Sequence, residues 1–239
     1  MRNIVTLAHR ELNAQFFSPI AYGVITLFLV LGGIMFWLMS FLPGAEASVR
    51  NVFGPWMLLI LVFILSMLTM RLMSEEFRSG TIETLMTAPV TDAEVVVGKF
   101  LSALVFYEIM LVTTLIYPIL LAMYGNIDVG LTIACYVGLV LVGALYISVG
   151  LFFSTCTRNQ MVAGMCSFVL LAILTFLTSF IGRSQEGAIR VVLQHVSITD
   201  HYEGFLRGLV ETSHVIFFVT GTALFLFLAV KALEFRRWR

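Results

Sequence analysis

The chain has 239 residues, of which 60% are hydrophobic and 12% are charged, and its mean hydropathy is +1.01. A water-soluble domain of this size needs many more charged residues to cover its surface, so the composition indicates an integral membrane protein built from helices. The formal net charge is zero, so nothing indicates nucleic acid as a partner.

Residues 1–18 are amphipathic at the helical period. Apolar residues recur on one side of the predicted helix, and polar residues such as His9 and Arg10 lie on the other. We predict an N-terminal amphipathic interfacial helix on the cytoplasmic side of the membrane, with its apolar face toward the lipid. A frayed extension of the first span is the alternative. The helix should end at Ser18-Pro19, because proline disfavours helix in the residue before it.

Six apolar segments are long enough to cross roughly 30 Å of hydrocarbon at 1.5 Å per residue. They are residues 21–42, 53–70, 101–124, 131–153, 161–181 and 215–233. With the N-terminus in the cytosol, ten Lys and Arg residues lie in inside segments and four lie in outside segments. The positive-inside rule therefore predicts that both termini and the segment 71–99 are cytosolic.

Residues 71–99 join the second and third spans and carry clear boundary signals. Gly80 interrupts the polar part, and a short helix over Thr81–Met86 is stopped by Pro89. A capping box at residues 91–94 then starts the helix that continues into the third span. We predict a cytosolic coupling elbow made of a helix, a short transverse helix and a second helix. An ordinary charged loop fits the composition equally well.

Glu108 lies inside the third predicted span. An ionisable residue at membrane depth is costly to bury, and it indicates either a substrate pathway or a buried polar partner. Both interpretations stay open. Pro118 predicts a kink further along the same helix, because it lacks the N–H that an α-helix requires.

The outside segment 182–214 contains two blocks of about ten residues with helical apolar spacing, each too short to cross a bilayer. Their apolar residues are Ile189, Val192, Leu193 and Val196, then Tyr202, Phe205, Leu206, Leu209 and Val210. We predict two short helices that form an external re-entrant hairpin before the last span. Two helices lying flat on the outer surface fit nearly as well.

The chain lacks the common catalytic signatures. There is no G-x-x-x-x-G-K-[ST] phosphate loop, because Gly98-Lys99 is followed by Phe100, and neither H-E-x-x-H nor G-x-S-x-G occurs. We therefore expect no catalytic residue, no metal site and no cofactor in this chain. The energy for any movement must come from a separate subunit.

The run Glu75–Val90 resembles the signature of ABC-2 type exporter permeases, whose core E-x-x-x-G-T-x-E-x-L-x-x-x-P is matched by residues 76–89. The branch with the greatest likeness is that of the small permeases associated with gliding motility and with nitrous oxide reductase maturation. Residues 150–163 and His201–Val210 are similar to other segments of that branch. The likeness covers nearly the whole chain.

The resemblance implies a single ABC-2 type transmembrane domain over residues 1–239, in a multi-pass protein of the bacterial cytoplasmic membrane. It implies a second permease, identical or homologous, and two copies of a separate ABC ATP-binding subunit that carries ATP and Mg. Membrane lipid surrounds such a dimer, and the branch leaves room for a periplasmic accessory protein. No nucleic acid is implied.

In such permeases the elbow between the second and third spans is called the coupling helix, and it contacts the ATPase. Carried onto this sequence, its contact residues are Glu75, Glu76, Arg78, Gly80, Thr81, Ile82, Glu83 and Leu85. Arg10 and Glu11 are the assisting contacts on the interfacial helix. The segment 182–214 corresponds to the external hairpin that closes the pathway from outside.

The predicted function is that of the transmembrane permease subunit of an ATP-driven exporter, which moves its substrate by alternating access. The alternative is a non-transporting membrane subunit that transmits ATPase-driven motion to a periplasmic or gliding-motility machine. A secondary carrier that uses Glu108 is a further alternative, which the lack of a visible inverted repeat opposes.

Overall fold

The computed structural model describes residues 2–40, 49–81, 90–124, 128–184 and 188–237. Every regular element within these ranges is a helix. The described residues contain six helical segments that are long and apolar enough to cross a membrane. We number them span 1 to span 6, and they are Ala21–Met39, Val49–Ser79, Asp92–Met123, Val129–Cys156, Gln160–Gly182 and Thr212–Arg236. The predicted all-α membrane fold with six spans is confirmed.

Several of the spans are interrupted, and four further helices lie outside or at the ends of the spans. The N-terminal helix is Arg2–Phe16, the elbow helix at the end of span 2 is Ser74–Ser79, and the two outer helices are Ala188–Val196 and Ile198–Leu206. The remaining helices are Pro19–Ser40, Val49–Val52, Pro55–Thr69, Asp92–Thr113, Ile116–Tyr124, Val129–Cys156, Gln160–Ala172, Thr178–Ser184 and Thr212–Arg237. A π-helical turn, Ile173–Leu177, interrupts span 5.

Local signals account for several helix starts. The N-terminal helix ends at Phe16, and the next helix begins at Pro19, as the proline predicts. The predicted capping box is present: Thr91 Oγ1 accepts from the Glu94 N–H at 3.2 Å, and the Glu94 carboxylate accepts from the Thr91 N–H at 3.0 Å. The Asp128 and Asn159 side chains cap spans 4 and 5 in a similar way.

Span 4 is the central helix of the bundle and contacts spans 2, 3, 5 and 6. Its glycines admit close neighbours. A Cβ added at Gly143 would lie 2.0 Å from the Tyr107 ring of span 3, and one added at Gly150 would lie 1.9 Å from Thr69 Oγ1 of span 2. The Tyr107 hydroxyl donates to Leu139 O of span 4 at 2.9 Å. Small residues at such crossings allow membrane helices to approach closely.

Span 3 is kinked between its two helices, at Thr114 and Leu115. Pro118 has no N–H to donate to Thr114 O, which accepts instead from the Tyr117 N–H at 3.0 Å. The Thr114 hydroxyl also lies 3.1 Å from the Tyr136 hydroxyl of span 4. The kink predicted from Pro118 is confirmed.

The bundle has two different ends. At the elbow end, the Arg236 guanidinium near the C-terminus lies 4.5 Å from the centroid of the Phe77 ring in the elbow helix and donates to Cys156 O. At the hairpin end, the Tyr202 hydroxyl of the second outer helix donates to Phe53 O at 2.9 Å. The N-terminal helix also packs at the elbow end, so the two terminal helices share that end, which agrees with the charge count. The side of the membrane that each end faces stays a prediction.

The outer segment forms two helices of nine residues each, separated by Ser197. The second packs against span 4 and is largely buried, whereas the first leaves Val191 and Val192 exposed. The two short helices predicted from the apolar spacing are therefore present. Their depth in a membrane, and with it the choice between a re-entrant hairpin and surface helices, stays a prediction.

Candidate functional site at the elbow end

The elbow helix is fixed to span 4 by one side chain. The backbone N–H groups of Met73 and Ser74 both donate to Ser154 Oγ, at 3.0 Å and 3.1 Å, and the Ser154 hydroxyl donates to Met70 O at 3.1 Å. At its other end the helix stops at Gly80, whose φ of +74° is the left-handed conformation that glycine adopts at low cost. The helix is therefore a short element with a defined start and stop.

A buried lysine ties the elbow helix to two other elements. The Lys99 side chain is 1% exposed, and its Nζ lies 2.8 Å from Glu76 Oε1 and 3.1 Å from Glu11 Oε2. Glu76 belongs to the elbow helix, Glu11 to the N-terminal helix and Lys99 to the start of span 3. We call these three residues the Lys99 cluster. A buried ammonium is strongly unfavourable unless it is paired, so the cluster holds the three elements together.

The charges of the cluster are set by their neighbours. Burial alone would raise the pKa of the Glu11 carboxyl, but the positive charge of Lys99, assisted by Arg10, holds that pKa below its usual value. The Arg10 guanidinium lies 3.0 Å from Glu11 Oε1 and is largely exposed. Glu11 therefore stays ionised at neutral pH and forms ion pairs with both Lys99 and Arg10.

The N-terminal helix packs closely against span 3 beside the cluster. A Cβ added at Gly98 would lie 2.9 Å from Leu7 Cδ2, so the glycine makes room for the leucine. Nine residues after Leu7, the ring of Phe16 lies 5.2 Å from that of Phe106 between centroids. The helix predicted for this segment is present, and its position at a membrane interface stays a prediction.

The structure separates the predicted contact residues into two groups. The exposed ones are Glu75, Arg78, Gly80, Thr81 and, on the N-terminal helix, Arg10. The other group, Glu76 and Glu11, faces inward to Lys99. Ile82, Glu83 and Leu85 lie in the segment 82–89, outside the described residues, and the predicted transverse helix lies there with them. The role of all these residues in binding an ATPase stays a prediction.

Glu108, the other ionisable residue that the sequence singles out, is half-buried in span 3 and lies outside the Lys99 cluster. The structure does not assign it to a substrate pathway. The buried pairing of Lys99, in contrast, is not predicted from the sequence, where Lys99 is the last residue of the charged segment 71–99. Its position between Val95–Gly98 and Phe100 gives a signal, because a lysine within an apolar run must find a carboxylate if the helix is buried.

A second polar cluster lies at the hairpin end. His201 Nδ1 lies 2.8 Å from His214 Nδ1, and His201 Nε2 lies 3.1 Å from His195 O. A carbonyl only accepts, so Nε2 of His201 carries the hydrogen and its Nδ1 accepts from His214. The His201 ring also stacks on Phe217, with 4.0 Å between centroids. Burial lowers the pKa of His201, and the charge of His214 acts in the same direction against the His195 hydrogen bond.

Six apolar spans and a charged elbow anchored by buried polar contacts define a multi-pass helical membrane protein. The family described as ABC-2 family transporter protein matches residues 64–235, and the chain belongs to this family. The match runs from span 2 through the elbow to span 6. No curated protein matches the chain.

Membership confirms the resemblance to ABC-2 permeases, whereas the narrower likeness to gliding-motility permeases receives no support. The family consists of membrane subunits of ABC transporters that are not themselves catalytic. An ABC ATP-binding partner is therefore implied, and so is the dimeric arrangement usual for the family.

Proposed function

We propose that this chain is the permease subunit of an ATP-driven exporter in the cytoplasmic membrane, with both termini in the cytosol. It moves its substrate by alternating access, and two separate ATP-binding subunits, which carry ATP and Mg, supply the energy at the elbow end. A second permease, identical or homologous, completes the transporter. The observation that carries this proposal is the Lys99 cluster, which sits at the elbow of a chain that belongs to the ABC-2 family.

The proposed mechanism needs an elbow that passes movement to the spans. Two contacts support this: Ser154 holds the start of the elbow helix to span 4, and Lys99 of span 3 pairs with Glu76, the third residue of that helix. A displacement of the elbow helix by a docked ATPase would therefore move spans 3 and 4 together. In this way the nucleotide state of the partner biases two packings of the spans, which is a coupling between two sites.

The proposed docking surface is formed by the exposed predicted contacts Glu75, Arg78 and Thr81, with Arg10 nearby on the N-terminal helix. In the same proposal Ile82, Glu83 and Leu85 of the adjoining segment complete the surface. Glu76 and Glu11 act from behind this surface, because their carboxylates are engaged by Lys99. The surface therefore offers charges of both signs to a soluble partner.

The test is the charge reversal Arg78→Glu in a chain coexpressed with its ATP-binding subunit. We expect membrane insertion to persist, while copurification of the ATPase and stimulation of ATP hydrolysis fall several-fold. The matched control is Arg207→Glu, since Arg207 is also an exposed arginine but lies at the hairpin end. Equal behaviour of the two variants would refute docking at the elbow. The family match does not favour the alternative of a non-transporting force transmitter.

A further inference from the structure

An open cavity of about 370 Å³ lies beside the Lys99 cluster, between the N-terminal helix, span 1 and span 2. One part of its lining is apolar and belongs to the two spans, with Ala21 and Val24 on span 1 and Met67 and Leu68 on span 2. The other part is polar and lies next to the elbow helix. A cavity with this division suits an amphipathic molecule.

Three polar residues that line the cavity each hold an atom without a hydrogen-bond partner among the described residues. These shielded atoms are Gln15 Oε1, Arg71 Nε and Glu76 Oε2. Buried polar groups are normally paired, so three such atoms around one cavity indicate a ligand that pairs them. The terminal torsions of glutamine and glutamate are broad, so small rotations bring their oxygens to the cavity surface. These three atoms require a ligand that has hydrogen-bond donors for the two oxygens and a hydrogen-bond acceptor for the Arg71 N–H.

The charges around the cavity favour a ligand with no net charge. Three carboxylates line it, those of Glu11, Glu75 and Glu76, against the two cations Arg71 and Lys99. Arg10 lies 3.0 Å from Glu11 Oε1 and balances the third carboxylate, so the surroundings of the cavity are neutral and match a zwitterion better than a bare anion. Arg71 nevertheless offers a phosphate a planar donor group with well-defined geometry.

We infer that the cavity binds the headgroup of a zwitterionic aminophospholipid of the ethanolamine type. Its primary ammonium pairs with Glu76 and Gln15, its phosphate pairs with Arg71, and an acyl chain lies along Ala21 and Met67. The ammonium must carry N–H groups, because the two oxygens need donors. A quaternary choline headgroup has none and is excluded by the same argument.

The place of the cavity agrees with a lipid ligand. It lies at the elbow end of spans 1 and 2, beside the break at Ser18 where the N-terminal helix gives way to the first span. A bound headgroup would contact both the N-terminal helix, through Gln15, and the elbow helix, through Glu76. The lipid would then stabilise the contact between two elements that the Lys99 cluster already joins.

The experiment uses the purified full-length chain in detergent, without an ATPase, so its outcome is independent of the proposed export function. Binding is measured by native mass spectrometry and by the rise in Tm with phosphatidylethanolamine, phosphatidylcholine, phosphatidylglycerol or inorganic phosphate. We expect phosphatidylethanolamine to bind in a stoichiometric complex and to raise the Tm. The other three should bind several-fold more weakly or not at all.

Two variants localise the binding. Arg71→Gln should weaken the binding of phosphatidylethanolamine by more than about 10-fold, since it removes a charged donor. Gln15→Leu, a milder change that keeps the elbow intact, should weaken it roughly 2- to 10-fold. Gln194→Leu at the hairpin end is the matched control and should leave binding unchanged.

Four outcomes would overturn the inference. Equal binding of phosphatidylethanolamine and phosphatidylcholine would remove the need for N–H donors. Preference for phosphatidylglycerol would contradict the charge count, and displacement of the lipid by inorganic phosphate would assign the site to a free anion. Unchanged binding by Gln15→Leu would place the lipid elsewhere on the protein.

Discussion

The substitution Lys99→Met tests whether the Lys99 cluster holds the elbow end together. Methionine keeps the length and apolar stem of lysine but removes its charge, so Glu76 and Glu11 lose the ammonium between them. Removing one partner of a buried ion pair costs about 3–5 kcal/mol. The Glu11 and Glu76 side chains keep 16% and 18% of their surface exposed, and Arg10 still pairs with Glu11. We therefore expect a loss of about 2–4 kcal/mol.

Thermal unfolding in detergent is the assay. A chain of this size loses about 2–4 °C of Tm for each kcal/mol, so Lys99→Met should unfold about 4–16 °C below the wild type. The matched control is Lys231→Met, which removes an exposed pair with Glu234 at 2.7 Å. Such an exposed pair contributes about 0–0.5 kcal/mol, so the control should lose about 2 °C or less.

A triple variant separates charge repulsion from lost packing. Adding Glu11→Gln and Glu76→Gln to Lys99→Met replaces both carboxylates with neutral amides, and most of the lost Tm should return. The reasoning is refuted if Lys99→Met is as stable as Lys231→Met. It is also refuted if the triple variant unfolds at the same temperature as the single one, because uncompensated charge would then not be the cause.

Two further predictions concern the hairpin end and the bundle centre. Because burial lowers the pKa of His201, its contribution to stability is complete above the ordinary imidazole pKa of about 6.5 and is lost as pH falls through the lower folded value. The Tm of the wild type should thus fall more steeply from pH 7 to pH 5 than that of His201→Phe. Gly143→Ala should unfold well below the wild type, with a cost of at least about 1–3 kcal/mol, since the new Cβ meets the Tyr107 ring. Gly23→Ala, which meets nothing within 4 Å, should unfold at or slightly above the wild-type Tm.

Each of these two predictions has an outcome that would contradict it. Parallel pH slopes for the wild type and His201→Phe would mean that the ring titrates equally in the folded and unfolded chain. Equal Tm values for Gly143→Ala and Gly23→Ala would mean that spans 3 and 4 separate readily at their crossing.

The features that the sequence predicts well are those that depend on neighbouring residues. The six spans follow from the length of apolar runs that a bilayer demands. The capping box at Thr91 and Glu94 and the kink at Pro118 follow from backbone hydrogen bonds within one or two turns. In these cases the physical cause lies within a few residues, so the pattern is visible in the chain itself.

The Lys99 cluster and the cavity beside it are different, because they depend on tertiary packing. Glu11 and Lys99 are 88 residues apart in the chain, and nothing local pairs them. Glu76 belongs to the predicted contact set as a surface residue, yet its carboxylate is turned inward to a lysine at the start of the next span. The same holds for the contact of Gly143 with Tyr107, which no spacing rule predicts.

The 88-residue separation also has a consequence for how the protein is made. At a synthesis rate of about 5–20 residues per second, Lys99 follows Glu11 out of the ribosome roughly 4–18 s later. During that interval the N-terminal helix lacks both the lysine that pairs with Glu11 and the glycine surface that receives Leu7. The N-terminal helix therefore cannot complete its contacts until the start of span 3 has been translated, which comes after the first two spans.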